Sequence, residues 1–371
     1  MHTLVIGGAG FIGSHTVDVL LARGHTVRVL DALVPQVHGM TPQRPAYLDP
    51  RAELLVGRVE DADMVAQALD GVESVIHLAA AVGVGQSMYQ VTQYCTTNTM
   101  GTAALLQTLI DCKTRLHSLV VASSMSVYGE GLYCTPDGHA VSPHVRSEAQ
   151  MAAGDWDMHA PDHLPLAPIP THEDKPLQPT SIYAINKRDQ EEMCLCVGSA
   201  YGIPTTALRF FNVYGSRQAL SNPYTGVAAI FCARLLNERP PLIFEDGKQQ
   251  RDFVHVADVA RAVVAAAEQP VMGEAINIGS GAPLSVREIA ELLALELHRD
   301  IAPQIVGKYR RGDIRHCFAD ISKARQLLHW QPQYAFRQGV SELVAWVQAQ
   351  REARDSVNSA WDELQKQGLL V

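Results

Sequence analysis

The sequence predicts an α/β fold, a doubly wound parallel sheet followed by a smaller mixed α/β lobe, and three observations carry that prediction. A glycine turn joins an apolar strand to a helix near the start of the chain. Short apolar strands then alternate with helical stretches at βαβ spacing. Past about residue 217 that alternation breaks. The expected product is a Rossmann-type dinucleotide domain over 1–215, a substrate lobe over 216–350 and a helical tail over 351–371.

The first strand, Thr3–Ile6, runs into Gly7, Gly8, Ala9, Gly10, Phe11, Ile12 and Gly13, and helical periodicity follows at Val17, Leu20 and Leu21. Glycines at 7, 10 and 13 permit a tight turn and a close backbone approach to a pyrophosphate. The helix opening at Phe11 and Ile12 offers free N–H groups and partial positive charge to the phosphates. A bare glycine triplet is weak evidence; the strand before it and the helix after it make it specific. The second strand, Thr26–Leu30, ends at Asp31. An acidic residue there suits the two ribose hydroxyls of NAD and repels a 2′-phosphate, so NAD is expected rather than NADP.

Strands Leu54–Val56, Ser74–Leu78 and Leu119–Ala122 come next, with helical stretches near 62–70 and 95–113. Leu78, Ala79 and Ala80 close a strand with side chains small enough to admit a cofactor. Asn98, inside the following helix, is either a surface residue or a group that orders a buried water and the active-site backbone. The strand ending at Ala122 turns polar through Ser123 and Ser124, at the carboxyl edge where open α/β sheets place ligands. Ser124 is either a satisfied turn hydroxyl or a partner for a substrate oxygen.

From Ser181 the pattern is helical, and Tyr183 and Lys187 sit four apart on one face. A free phenol has a pKa near ~10 and is a poor base at neutral pH. A fixed ammonium favours the phenolate. Lys187 is therefore expected to lower the Tyr183 phenol into the range of a general acid/base. Taken alone, such a pair is more often a surface pair.

Composition narrows the classes. The chain has 371 residues, 47% of them apolar, enough for one large or two modest domains. Charged residues are 19% and the net charge is −9, without the clustered Lys and Arg of a nucleic-acid surface. No apolar run approaches the ~20 residues of a membrane span. The chain enters its first strand without a basic leader, which predicts a cytoplasmic protein. Seven scattered Cys predict reduced thiols, with Cys194 and Cys196 in helical packing.

The later chain is less regular. Residues 131–175 form a long segment rich in Pro, His and Ala, of the kind that is functional or disordered. Its Cys134, His139, His144, His159, His163 and His172 lack metal-site spacing, so it is expected as an elaborated loop at the mouth of the active site. Pro240–Phe244 reads as a strand or turn, Ser285 with Glu288 as a capping box, and Asp320–Ala324 as a helix start ended by Trp330–Pro332. A segment near 250–280 is expected to return to the first domain. The polar tail from Arg351 is expected to pack on the surface or fray.

With these motifs in order, the chain resembles the extended short-chain dehydrogenase/reductase family, and within it the nucleotide-sugar epimerases and dehydratases. The resemblance runs to about residue 347. It rests on Gly7, Gly10 and Gly13; His77–Ala80; Asn98; Ser124–Gly129; Tyr183 with Lys187; Arg209–Gly215; Arg251–Val256 with Asp258; Asn277–Gly281; and Arg310–Asp313. It implies that Tyr183 is the base, that Lys187 holds the nicotinamide ribose and tunes the phenol, and that Ser124, beside Met125 and Ser126, orients the reacting hydroxyl. Asn212 and Arg251 would bind the sugar nucleotide's diphosphate, which suits the planar fork of an arginine. Arg310 and Asp313 would reach phosphate and nucleotide ribose, and 222–227, including Val227, would line the base pocket. The resemblance also implies a homodimer built on the helices near 95–113 and 181–201.

Besides the long 131–175 segment, one departure from the family pattern and one missing pair matter. Where the family often has an Asp for the adenine amine, Gly57 is followed by Arg58, so that contact is expected from the Val59 backbone or from Asp61. In 4,6-dehydratases an Asp–Glu pair follows the strand-end hydroxyl; here Met125 and Ser126 stand there and neither is a carboxyl acid or base. No decarboxylase signal accompanies them. What remains is 4-epimerisation through a transient 4-keto sugar. Gly215–Gln218, 222–227 and the long segment are similar to bacterial dTDP-L-rhamnose 4-epimerases, which form dTDP-6-deoxy-L-talose for polysaccharides. A UDP-hexose or UDP-uronate 4-epimerase is the alternative. A non-catalytic NAD-sensing scaffold is the third reading, although such relatives often lose the Tyr or Lys that this chain keeps.

Overall fold

The computed structural model describes residues 1–40, 43–218, 226–350 and 363–370. Its centre is a seven-stranded sheet. In chain order the strands are His2–Ile6, Thr26–Asp31, Glu53–Val56, Ser74–His77, Ser118–Ser124, Thr205–Phe210 and Glu274–Ile278. Every neighbouring pair is parallel. From His2–Ile6 the chain builds outward to Glu53–Val56, then returns to lay Ser74–His77 on the other side of the first strand. That reversal opens a crevice over the carboxyl ends of the strands.

Parallel strands covered on both faces read as continuous apolar runs. Ser118–Ser124 is buried at all seven positions. On one face Val5, Val29, Val120 and Leu208 pack with helices Phe11–Ala22 and Val256–Glu268. On the other, Leu4, Ile6 and Val121 pack with Ala62–Leu69, Gly101–Asp111 and Ile182–Tyr201. The expected single helix over 95–113 is divided: Cys95–Met100 is a π-helical turn that precedes the α-helix.

The lobe and the sheet domain interleave. Val256–Glu268 and Glu274–Ile278 return to the large sheet, and Gln250–His255 does not. It pairs with Asn212–Tyr214, Pro283–Ser285 and His316–Cys317 in a small mixed sheet. Helices Val227–Leu236, Val286–Glu296 and Phe336–Ala349 close that lobe's core around Phe231, Phe253, Leu293 and Leu343. The capping box forms: Glu288 N–H donates to Ser285 Oγ at 3.1 Å and Ser285 N–H to Glu288 Oε2 at 2.7 Å. All seven cysteines are free; Cys194 is buried, whereas Cys196 is exposed. Among the described residues no helix is long and apolar enough to cross a membrane.

The 131–175 segment is ordered. Leu132–Cys134, Ala140–Val141 and Ala167–Ile169 make a three-stranded antiparallel sheet over a small core of Tyr133, Met158 and Leu166. A buried charge cluster ties it to the lobe. Arg146 donates to both oxygens of Glu245 at 2.9 and 2.8 Å, and Arg315 reaches the same carboxylate at 3.1 Å.

A second buried pair locks the helix Ile182–Tyr201 to the sheet. Arg209 Nε donates to Glu191 Oε2 at 3.0 Å, and its Nη1 donates to the Tyr128 hydroxyl at 2.8 Å. Removing one member of such a pair strands the other charge away from water. Glu191→Ala should therefore cost roughly 3–5 kcal/mol of stability, read as a lowered denaturation midpoint in urea; a midpoint within error of the parent would show that the pair is dispensable.

Candidate active site

The crevice over the strand ends is a cleft of about 940 Å³, at the upper end of the roughly 300–1,000 Å³ of ligand pockets. Gly7, Gly10, Phe11, Ile12 and Gly13 line one end. Gly7 has φ +81°, and a Cβ on it would stand 2.8 Å from the Ala79 nitrogen. A Cβ on Gly13 would stand 2.1 Å from the Gly7 carbonyl. No side chain fits either place. The helix Phe11–Ala22 has no side-chain cap and no acidic residue in its first turn, so its N-terminus is electrostatically free to meet an anion.

Asp31 lines the same end. Its Oδ2 accepts from Ala9 N–H and its Oδ1 from Leu33 N–H, both at 2.9 Å. The carboxylate thereby fastens the second strand to the glycine turn, with acceptor capacity left over. Turn, helix end and carboxylate together fit a dinucleotide. Val59 lines the cleft beside Arg58, as do Leu78, Ala79 and Ala80.

Two expectations for this end need correction. Asp61 is not among the lining residues: its Oδ1 accepts from Asp63 N–H at 3.1 Å and Met64 N–H at 3.2 Å, capping Ala62–Leu69. Its place outside the lining, not its hydrogen bonds, removes it from contact with an adenine amine. Asn98 also does not line the cleft. It is fully buried, takes Ala81 N–H at 2.7 Å and donates to Ala81 carbonyl at 3.1 Å. Its effect on the site passes through that backbone.

Tyr183 and Lys187 stand at the middle of the cleft with Ser124. Ser181 begins their helix by accepting Ala184 N–H at 3.1 Å, which sets both residues on its buried face. Ser124 Oγ accepts from Ser126 N–H at 3.2 Å and from Ser126 Oγ at 2.9 Å, and its hydroxyl stands near enough to the Tyr183 phenol to favour the ionised form. Lys187 Nζ donates to the Ala122 carbonyl at 2.9 Å.

The electrostatics run against the expectation for the phenol. Burial raises the Tyr183 pKa, and the Ser124 hydroxyl beside it offsets this in part. Lys187 is itself pushed down by burial to about 7. Desolvation penalises the charged form of each group and is the largest cause of both shifts. His77, behind them, is pushed down to about 3 by burial and then by Lys187, and holds Thr102 Oγ1 at 2.9 Å.

Met125, Ser126, Asn212 and Val227 continue the lining toward the lobe; of the expected base-pocket segment, 222–225 lie outside the described residues. Asn212 Oδ1 is buried without a hydrogen-bond partner among the described residues. Arg251 is held by its own neighbourhood: Nη1 donates to the Gln250 and Arg315 carbonyls at 2.9 and 2.8 Å, Nη2 to the Ile314 carbonyl at 2.7 Å. Arg310 Nη2 pairs with Asp313 at 2.9 Å. Burial works to raise the Asp313 carboxyl, but Arg310 and Arg251 outweigh it and hold the group below its usual range.

The 131–175 segment contributes no lining residue, contrary to expectation. It lies behind the wall instead, where Glu148 pairs with Arg311 at 2.7 Å and Arg146 donates to the Asp313 carbonyl at 3.2 Å. Phe244, Leu364 and Leu369 line the cleft and were not legible beforehand. Their local patterns are those of any strand end or tail. Some residues of the resemblance are structural. Asp252 is buried and accepts from Gly281 N–H at 2.9 Å and Ala319 N–H at 3.1 Å, and a Cβ on Gly279 would stand 2.6 Å from it.

Comparison with known proteins accords with this geometry. The family described as NAD dependent epimerase/dehydratase matches residues 3–279. The chain is 37% identical over 348 residues to a dTDP-L-rhamnose 4-epimerase of Burkholderia thailandensis, covering 93% of this chain and 94% of that one. It superposes on UDP-glucose 4-epimerase of Thermotoga maritima with UDP-glucose at a TM-score of 0.76, 30% identity, and 94% and 99% coverage. The UDP-glucose 4-epimerase of Thermus thermophilus with NAD gives 0.74 at 28% identity, and 94% and 99% coverage. A glycine cradle, a strand-end serine and a Tyr–Lys helix in one cleft, with a family match over most of the chain, make this protein a member of the NAD dependent epimerase/dehydratase family.

Proposed function

We propose that the protein is a nucleotide-sugar 4-epimerase that interconverts dTDP-L-rhamnose and dTDP-6-deoxy-L-talose. One observation carries the reaction type: the Ser124–Tyr183 hydroxyl pair occupies the middle of the cleft while Met125 and Ser126 stand next to it. The cleft-lining carboxylates are elsewhere: Asp31 and Glu60 stand on the dinucleotide side, and Asp313 is paired to Arg310. Elimination at C5 and C6 needs an acid and a base of its own; this site supplies neither beside Tyr183.

Gly7, Gly10, Phe11, Ile12, Gly13, Asp31 and Val59, with Leu78–Ala80, would hold NAD, which when bound accepts a hydride and returns it. In its phenolate form Tyr183 takes the proton of the sugar 4-hydroxyl at its phenolic oxygen as C4 is oxidised, and the resulting phenol gives it back when the hydroxyl re-forms on the other face. Ser124 orients that hydroxyl and stabilises the phenolate by donating to it. Lys187, neutral or charged near pH 7, is placed to hold a ribose hydroxyl. Asn212, Arg251 and Arg310 fix the nucleotide's diphosphate, Asp313 its ribose and Val227 its base, while the 4-keto sugar turns within the cleft.

The dTDP substrate is supported by the Burkholderia thailandensis relative, named for that sugar. A UDP-hexose is the second reading, because UDP-glucose occupies the Thermotoga maritima structure. Incubation with dTDP-L-rhamnose should give talose proton resonances, while conversion of UDP-glucose instead would transfer the assignment to UDP-sugars. Tyr183→Phe should bind the substrate and lose at least ~10³-fold in kcat; a variant with parental rate would displace the base. The reading extends to a cytoplasmic homodimer through Gly101–Asp111 and Ile182–Tyr201, where Ile185 is 42% exposed, and sedimentation should return twice the 40.4 kDa chain mass.

Burial of Lys187 makes a further prediction for the NAD-free protein. Its folded pKa, about 7, lies below its ordinary 10.5. Between those values the unfolded chain binds more protons, so stability rises with pH across that window. Lys187→Met should abolish turnover, raise the melting temperature near pH 7 and flatten that rise. A parental pH profile in the variant would mean that the amine is not desolvated.

A further inference from the structure

We infer that the C-terminal segment 363–370 is part of the sugar-nucleotide site, with Leu364 and Leu369 forming an apolar wall that takes the nucleobase and selects thymine over uracil. The inference rests on the function proposed above and adds residues that the motif pattern does not contain.

The segment is built into the cleft. Arg311 N–H donates to the Leu369 carbonyl at 3.2 Å, and Arg310 forms an antiparallel bridge with Leu370. Leu364 and Leu370 are 6% and 7% exposed, whereas Gln365, Lys366 and Gln367 face solvent. A tail that is polar in composition thus turns its leucines inward. Leu364 and Leu369 line the cleft together with Arg310, Asp313 and Phe244, and the Arg310 guanidinium lies 5.0 Å over the Phe244 ring.

The position follows from what occupies the rest of the cleft. The glycine turn and Asp31 hold one end, and Tyr183 with Ser124 holds the middle, where the sugar reacts. The nucleotide of the substrate is left with the end bounded by Arg310, Asp313 and the tail. There the charged groups meet phosphate and ribose, and the leucines and Phe244 offer apolar surface to a flat base. Thymine and uracil present the same hydrogen-bonding edge and differ by one methyl group. Hydrogen bonds to that edge cannot separate the two bases, but an apolar wall beside the methyl can. Burying one methyl group is worth about fourfold in affinity.

The test uses the full-length, NAD-loaded protein. Calorimetric titration should show dTDP bound about fourfold more tightly than dUDP, from which it differs by the methyl alone. Leu364→Ala/Leu369→Ala should lose roughly tenfold in dTDP affinity and most of the preference for dTDP, while NAD affinity stays within twofold. Hydrogen exchange on the parent protein supplies a readout that needs no variant: dTDP should protect the peptide spanning 363–371, and NAD should not. Unchanged affinity and preference in the variant, an equal loss of NAD binding, or a peptide indifferent to dTDP would overturn the inference while leaving the epimerase reading intact. Failure of the parent to bind either nucleotide would instead overturn the epimerase reading, and this inference with it.

Discussion

The site depends on the burial of one helix face against one strand. Tyr183 is useful only because Ile182–Tyr201 lies along Ser118–Ser124, which sets its phenol against the Ser124 hydroxyl. Buried polar contacts define that docking, Gln190 to His77 at 3.2 Å among them. Lys187 reaches the Ala122 carbonyl, and Glu191 grips Arg209 on the neighbouring strand. Apolar packing alone would tolerate small slides; buried, directional partners do not, because each slide would leave a charge unpaired.

The same burial explains why the resting electrostatics oppose the chemistry. A phenol and an amine removed from water both favour their neutral forms, and the two neutral forms do little for each other. The proton-transfer group is therefore held in position ahead of its charge. The Ser124 hydroxyl favours the phenolate and offsets part of that burial. The arrangement costs stability locally, and the extended core on both faces of the sheet absorbs that cost. Active sites commonly concentrate such perturbed groups, and here the perturbation coincides with the cleft rather than with a surface ion pair.

The wall that faces the sugar nucleotide is supported from outside. The strip Arg310–Arg315 carries cleft residues at one end and the buried Arg315 at the other. The ordered 131–175 segment presses on its back through Arg146 and Glu148, while the C-terminal segment pairs with its edge. Arg251 in turn takes its orientation from the carbonyls of Ile314 and Arg315. A long insertion absent from the cleft lining thus bears on the cleft by bracing the backbone that shapes it.

The local chemistry can be read from adjacent residues: the glycine turn, the acidic end of the second strand, the polar end of the fifth strand and the spacing of Tyr183 and Lys187. Those features are legible because each depends on residues within a few positions of one another. The sequence also foretold the strands, whose burial on both faces leaves uninterrupted apolar runs. Long-range packing is what makes Asp61 a helix cap, couples Asn98 to Ala81, stands the 131–175 segment behind the wall and brings Leu364 and Leu369 to the cleft. The direction of the Tyr183 shift belongs with these. A side chain's partner, and its distance from water, are set by chain segments remote in sequence, and neither spacing nor composition records them.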